Sequence, residues 1–134
     1  MEFDEKWLAG FFDGEGSIGI YARNYDRTKT KKYYVLVVSI AQSGNIGEQI
    51  ISELEFRYGG SSYCQEKDGI KPQWKWNISA DKASKFLENI MPYLVIKKYE
   101  AELGIRFQQL ESKSIASEVA ALLANTIKQS KVNY

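Results

Sequence analysis

Two stretches of the chain each hold a pair of segments in which apolar residues recur at every second position, and a run with helical spacing separates the two stretches. In Ser17 to Tyr25, Ile18, Ile20 and Ala22 alternate with Ser17, Gly19, Tyr21 and Arg23, a period that predicts a strand with one dry and one wet face. Lys32 to Gln42 is β-branched and aromatic, with Tyr34, Leu36, Val38 and Ile40 sharing a face. The polar loop Asp26 to Lys31 makes the two a hairpin. A second hairpin is predicted from Ser61 to Glu66, a Lys67-Asp68-Gly69 turn, and Pro72 to Ser79, where Trp74, Trp76 and Ile78 alternate with Gln73, Lys75 and Asn77. Between the hairpins, Asn45 and Glu48 form a capping pair ahead of Ile46, Ile50, Ile51 and Leu54, and Tyr58-Gly59-Gly60 ends the run.

Helices are predicted on either side. Asp4 to Phe12 reads as a short helix with acidic residues in its first turn, stopped by Gly14 and Gly16. From Asp81 onward the spacing is helical: Phe86, Leu87 and Ile90 before Pro92, then Leu103, Phe107 and Leu110, then Ile115, Val119, Leu122 and Ile127. The order αββαββα with additional C-terminal helices predicts an α+β fold. One antiparallel four-stranded sheet carries helices on one face and leaves the other open. The 134 residues form a single domain, 1–134, with enough apolar residues for one core.

Composition narrows the chemistry. There is no histidine, which removes Ser-His-Asp triads, His-ligated zinc and histidine-dependent nuclease centres. The single Cys64 allows neither an intrachain disulfide nor a CxxC metal clip. Eighteen basic against 17 acidic residues give a net charge of +1, so a nucleic-acid surface has to be local. An acidic N-terminus without an apolar core, and apolar runs far shorter than a membrane span, imply a soluble intracellular protein that is not secreted and has no membrane partner.

Three short motifs fail on context. Gly14 to Gly19 spells GxGxxG but follows a helix and opens a strand, the reverse of a dinucleotide site. Asp13, Glu15 and Ser17 imitate an EF-hand start, but Ile18 stands where glycine is needed. Gly19-Ile20-Tyr21 is half of the GIY-YIG nuclease signature; its partner tripeptide is missing. The segment Leu8-Ala9-Gly10-Phe11-Phe12-Asp13-Gly14-Glu15-Gly16 is more specific. It resembles the nine-residue signature of the LAGLIDADG homing endonucleases, with Gly14 a small-for-small replacement and Glu15 standing in for aspartate. The αββαββα order also resembles that family's fold. Small residues at Ala9, Gly10 and Gly14 suit close approach of a second helix, which would bring two copies of Glu15 together at a twofold axis.

The resemblance implies a homodimer, because only one motif occurs, with Trp7, Leu8, Ala9, Gly10, Phe11 and Phe12 at the interface. It implies a site-specific endonuclease that cuts both strands of a pseudo-palindromic double-stranded DNA by metal-dependent phosphodiester hydrolysis. Mg²⁺ is the implied cofactor, with Mn²⁺ as a substitute, and no small-molecule cofactor is called for. Glu15 and the carbonyl of Gly14 would bind metal. Gln42 would organise water and Lys97, with Lys98 as its rival, would offset phosphate charge; Gly44, Asn45 and Ile46 stand where relatives carry a basic residue. The open face would read DNA through Ser17, Gly19, Tyr21, Arg23, Tyr25, Tyr33, Ser39, Gln73, Lys75 and Asn77. The basic hairpin tip, Arg27, Lys29, Lys31 and Lys32, would touch phosphate. Rival readings are a nucleic-acid-binding module of the same fold without cleavage, such as a maturase or a transcription regulator; a GIY-YIG-type nuclease using Tyr21 and Arg23; and a protein-binding domain using the tyrosine-rich face.

Overall fold

Asp4 starts the first helix: its carboxylate accepts a hydrogen bond from the Trp7 backbone N–H at 2.8 Å, capping α1, Glu5–Glu15. In the computed structural model, which describes residues 2–24 and 32–131, the helix continues through Gly14 and ends at Gly16. The expected stop at Gly14 does not occur, because one glycine costs a helix only about 1 kcal/mol and the flanking Phe12 and Asp13 are buried anchors. Next come β1 (Gly16–Asn24), β2 (Lys32–Ser43), α2 (Gly44–Tyr58), β3 (Ser61–Lys67) and β4 (Ile70–Ser79). Three helices follow, α3 (Ala80–Ile90), α4 (Lys98–Gln108) and α5 (Glu118–Ser130), with a 3₁₀ turn over Met91–Tyr93 carrying Pro92. The Asn45–Glu48 capping pair is not formed; Ser43 is the N-cap of α2 and Gly44 follows it at φ +77°.

The strands make one antiparallel sheet in the order β1-β2-β4-β3. Its register settles which side chains share a face. Ile18, Ile20, Leu36, Val38, Ile40, Trp76 and Ile78 lie on the helix-covered side and are all buried. Leu8, Ala9 and Phe12 of α1, Ile51 and Leu54 of α2, Phe86 and Leu87 of α3 and Phe107 of α4 close over them. Phe86 joins four elements, with edge-on ring contacts to Phe12, Tyr58 and Trp76 at 5.5, 4.9 and 5.2 Å. Trp76 also donates its indole N–H to the Gly59 carbonyl at 2.9 Å, and the two glycines there both sit at φ +83°, a conformation that only glycine adopts cheaply.

The last helix is turned relative to expectation. Ala120, Leu123 and Ile127 face the core, while Ile115, Val119 and Leu122 are exposed. Small Ala120, not a larger apolar neighbour, fits against the sheet, so the stripe lies one position away from the most hydrophobic reading. Cys64 lies on edge strand β3, where desolvation and the charges of Glu66 and Glu48 raise the pKa of its thiol, in keeping with an inert cysteine.

Truncating the central ring tests this packing. Trp76→Ala is expected to lower stability by about 3–5 kcal/mol, the usual cost of removing a buried aromatic, as a drop in the urea midpoint read by circular dichroism.

Candidate nucleic-acid interface and acidic site

On the uncovered side the register brings together Ser17, Gly19, Tyr21 and Arg23 of β1 with Tyr33, Val35, Val37, Ser39, Ala41 and Ser43 of β2. It continues with Gln73, Lys75 and Asn77 of β4 and with Ser61, Tyr63 and Gln65 of β3. The chain has 17 acidic residues, yet no Asp or Glu stands on this face among the described strand residues. The acids lie elsewhere: Glu48, Glu53 and Glu55 on α2, Asp81 and Glu88 on α3, Glu102 on α4. A chain close to neutral overall therefore carries a face whose only charges among the described strand residues are basic, Arg23 and Lys75 among them. The Arg23 guanidinium lies 5.5 Å from the Tyr21 ring, a cation–π placement.

Every expected face residue within the described chain lies on this side, with Gly19 buried beneath the Tyr21 side chain and thus shielded from direct contact. Lys32 is exposed at the start of β2 and its side chain falls to the other face by register. Tyr25, Arg27, Lys29 and Lys31 lie outside the described residues. Sequence periodicity missed Val35, Val37, Ala41, Ser43, Ser61, Tyr63 and Gln65; the period-two rule applied across all four strands, instead of to the polar residues alone, would have found them.

At one end of the sheet, α1 runs into β1. Glu15 is the last helical residue and is exposed, as is Gly14. Asp13, two residues earlier, has a different task. Its buried carboxylate accepts the backbone N–H groups of Val95, Ile96 and Lys97 at 2.8, 3.1 and 2.9 Å. These bonds dock the segment before α4 against the end of α1. Lys97, itself buried, then donates its ammonium to the Asp13 carbonyl at 2.6 Å, where a cation complements the helix C-terminus. Lys97 is thus held two residues from Glu15, while its rival Lys98 is exposed in the first turn of α4. The sequence marks Asp13 as part of the nine-residue signature, one turn after Ala9, but gives no sign of its partners 82–84 residues away.

Gln42 belongs to the same end. Gly16 pairs with Ile40, so Gln42 extends one step past that row, on the helix-covered side opposite Trp74. Its amide donates to the Ala41 carbonyl at 2.8 Å. Gly47 of α2 lies directly against it, and a Cβ there would come within 2.8 Å of the Gln42 Cβ. Close helix approach fixes this glutamine.

The expected interface residues divide. Leu8, Ala9 and Phe12, which the resemblance put at the interface, are fully buried in the core of their own chain and have no surface to give a partner. Trp7, Gly10 and Phe11 remain accessible, with Gly14 beside them. Space beyond Gly10 and Gly14 is open. Trp7 stacks between Phe3 and Phe11 at ring distances of 4.8 and 5.0 Å.

No group of three or more acidic, histidine or cysteine side chains able to hold a metal occurs among the described residues. With Asp13 committed to three backbone N–H groups, Glu15 is the exposed carboxylate at the junction of α1 and β1. One carboxylate is by itself a poor site for a hard divalent cation, which takes several oxygen ligands.

The family model described as LAGLIDADG endonuclease matches residues 8–110, most of the chain, and the protein belongs to that family. Among solved structures, the homing endonuclease I-CvuI in complex with the I-CreI target aligns with a TM-score of 0.76 at 23% identity, over 94% of this chain and 80% of that one. The archaeal intron-encoded homing endonuclease I-Vdi141I complexed with DNA gives 0.68 at 17% identity, over 94% and 82%. I-GzeII in complex with its DNA target gives 0.62 at 17% identity, over 97% of this chain but 44% of that one. These likenesses establish the fold. No curated protein matches in sequence. Among the described residues, no helix is long and apolar enough to cross a membrane.

Asp13→Ala is expected to strip three backbone N–H groups of their acceptor, that of Lys97 buried and those of Val95 and Ile96 part-buried. At roughly 1.5–3 kcal/mol per hydrogen bond to a charged group, discounted for relaxation, a loss of about 3 kcal/mol or more follows. Amide hydrogen exchange should accelerate first at Val95, Ile96 and Lys97; unchanged protection there would contradict the assignment.

Proposed function

We propose that the protein is a homodimeric, metal-dependent DNA endonuclease that cuts both strands of a long pseudo-palindromic site. The observation that carries this reading is the sheet face free of acidic residues among the described strand residues, ending beside the exposed carboxylate of Glu15. The sheet lies in the major groove, which admits strands. Arg23 and Lys75 have the donors to reach guanine edges, Gln73 and Asn77 those for adenine edges, and Tyr21 contacts thymine methyls or backbone. Tyr33, Ser17 and Ser39 supply further contacts, and Lys32, Arg27, Lys29 and Lys31 supply phosphate contact; Tyr25 belongs to the same set. The DNA in the I-CvuI and I-Vdi141I complexes supports this choice of ligand.

The second copy docks on the accessible side of α1, through Trp7, Gly10 and Phe11, where glycines let backbones approach closely. I-GzeII matches this chain over less than half its own length, consistent with a unit that operates in pairs. Pairing through α1 brings the two Glu15 carboxylates together, and with the Gly14 carbonyls they would hold Mg²⁺, or Mn²⁺ in its place. Structures of I-CvuI were obtained with Mg and with Ca. A divalent ion at such a site supplies Lewis acidity and lowers the pKa of a bound water, so no histidine base is needed. Within the chain, Glu15 orients its carboxylate from the helix end and Lys97 holds positive charge beside the scissile phosphate. Gln42, fixed by Gly47, positions water at the end of β2.

Glu15→Gln keeps the shape and removes the charge. Cleavage of a randomised DNA pool with Mg²⁺, read by sequencing the cut ends, should fall by at least about a hundredfold, as for loss of a principal electrostatic group. Binding to the same duplexes should stay within a few-fold. Binding by the wild type without paired breaks would instead make this a nucleic-acid-binding module that does not cleave.

A further inference from the structure

A groove of about 430 Å³ runs between α5 and edge strand β1, bounded by Gly19, Tyr21 and Tyr34 on the sheet and by Asn125, Lys128 and Lys131 on the helix. Gly19 and Tyr21 belong to the acid-free face, so the groove opens at the margin of the surface assigned to DNA. The end of α5 is fixed there by an unusual anchor. Glu100 of α4 is only 1% exposed; one of its carboxylate oxygens accepts the Ser130 hydroxyl at 3.0 Å, and the other has no hydrogen-bond partner. That second oxygen faces the Lys131 ammonium at 3.6 Å. Leaving a buried carboxylate unpaired is costly, so Lys131 stays on Glu100 and holds the last turn of α5 in place. Lys128, one turn earlier and exposed, has no acidic neighbour among the residues of the groove.

We propose that Lys128, with Asn125 beside it, is a phosphodiester-binding site that grips the DNA backbone outside the reading face, and that Glu100 is its positioning residue, acting through Ser130 and Lys131. A sheet seated in the major groove has its face on the bases and its two edges toward the sugar–phosphate walls. The element beside edge strand β1 is α5, and the charge it presents there is positive. This inference rests on the duplex lying against the sheet as proposed above. It adds a contact that carries no sequence information, since phosphate contacts set position and affinity while base contacts specify.

The test is the salt dependence of binding to a random-sequence duplex, measured by fluorescence anisotropy. Lys128→Ala is expected to reduce the magnitude of the log K against log salt slope by about 0.9 for each bound protomer, with the preferred cut site unchanged. Lys128→Arg should restore the slope. Lys85→Ala, which removes the same charge from the helix layer, should leave it as in the wild type. In a Glu100→Gln background the Lys128→Ala effect should shrink, which a purely structural role for Glu100 would not produce; the far-ultraviolet circular dichroism of each variant confirms folding. A Lys128→Ala slope equal to wild type, in a protein that still binds and cuts duplex DNA, overturns this inference and leaves the proposed function standing. A wild type that binds no duplex overturns both.

Discussion

The site depends on one carboxylate that does no chemistry. Asp13 accepts three consecutive backbone N–H groups and thereby ties the chain that enters α4 to the end of α1. Without those bonds the buried N–H of Lys97 would need another acceptor, and buried donors are seldom left unmatched. The consequence reaches Lys97, whose ammonium caps the Asp13 carbonyl. Two residues far apart in sequence are thus fixed beside Glu15 by a single side chain that faces inward.

This arrangement gives α1 two working sides. Leu8, Ala9, Phe12 and Asp13 lie on the inner side and are buried, so the helix cannot shift without opening the core around Phe86. Trp7, Gly10, Phe11 and Gly14 lie outward. Rigidity on one side is what makes the other useful: a catalytic group must be held within a fraction of an ångström to act, and packing under the helix supplies that constraint. The same logic applies at Gln42, where Gly47 lets α2 press against the end of β2.

Much of this was legible in the sequence. Alternation in Ser17 to Arg23 and in Gln73 to Asn77 named the right face, because a two-residue period leaves no choice once one face is dry. The Leu8 to Gly16 segment named the family. What escaped had physical causes. A motif match carries no information on which side of α1 meets its own core, and Leu8, Ala9 and Phe12, which the resemblance puts at an interface, lie against that core. Apolar Val35 and Val37 share the open face and broke the pattern that polarity alone follows. Val119 and Leu122 outrank Ala120 in hydrophobicity, yet the close fit of α5 favours the smaller side chain. Contacts such as Asp13 with Lys97 or Glu100 with Ser130 span 84 and 30 residues, and nothing local encodes them.

The central claim is that the outward side of α1 meets the same side of a second copy, so that two Glu15 side chains converge. A nitroxide at position 15, introduced by Glu15→Cys in a Cys64→Ser background, reports this directly through electron spin dipolar coupling in the presence of duplex DNA. Two α1 helices packed at the usual separation of about 8–10 Å predict strong short-range broadening that disappears on dilution with unlabelled protein. Sharp, uncoupled spectra from a fully DNA-bound sample would contradict the account.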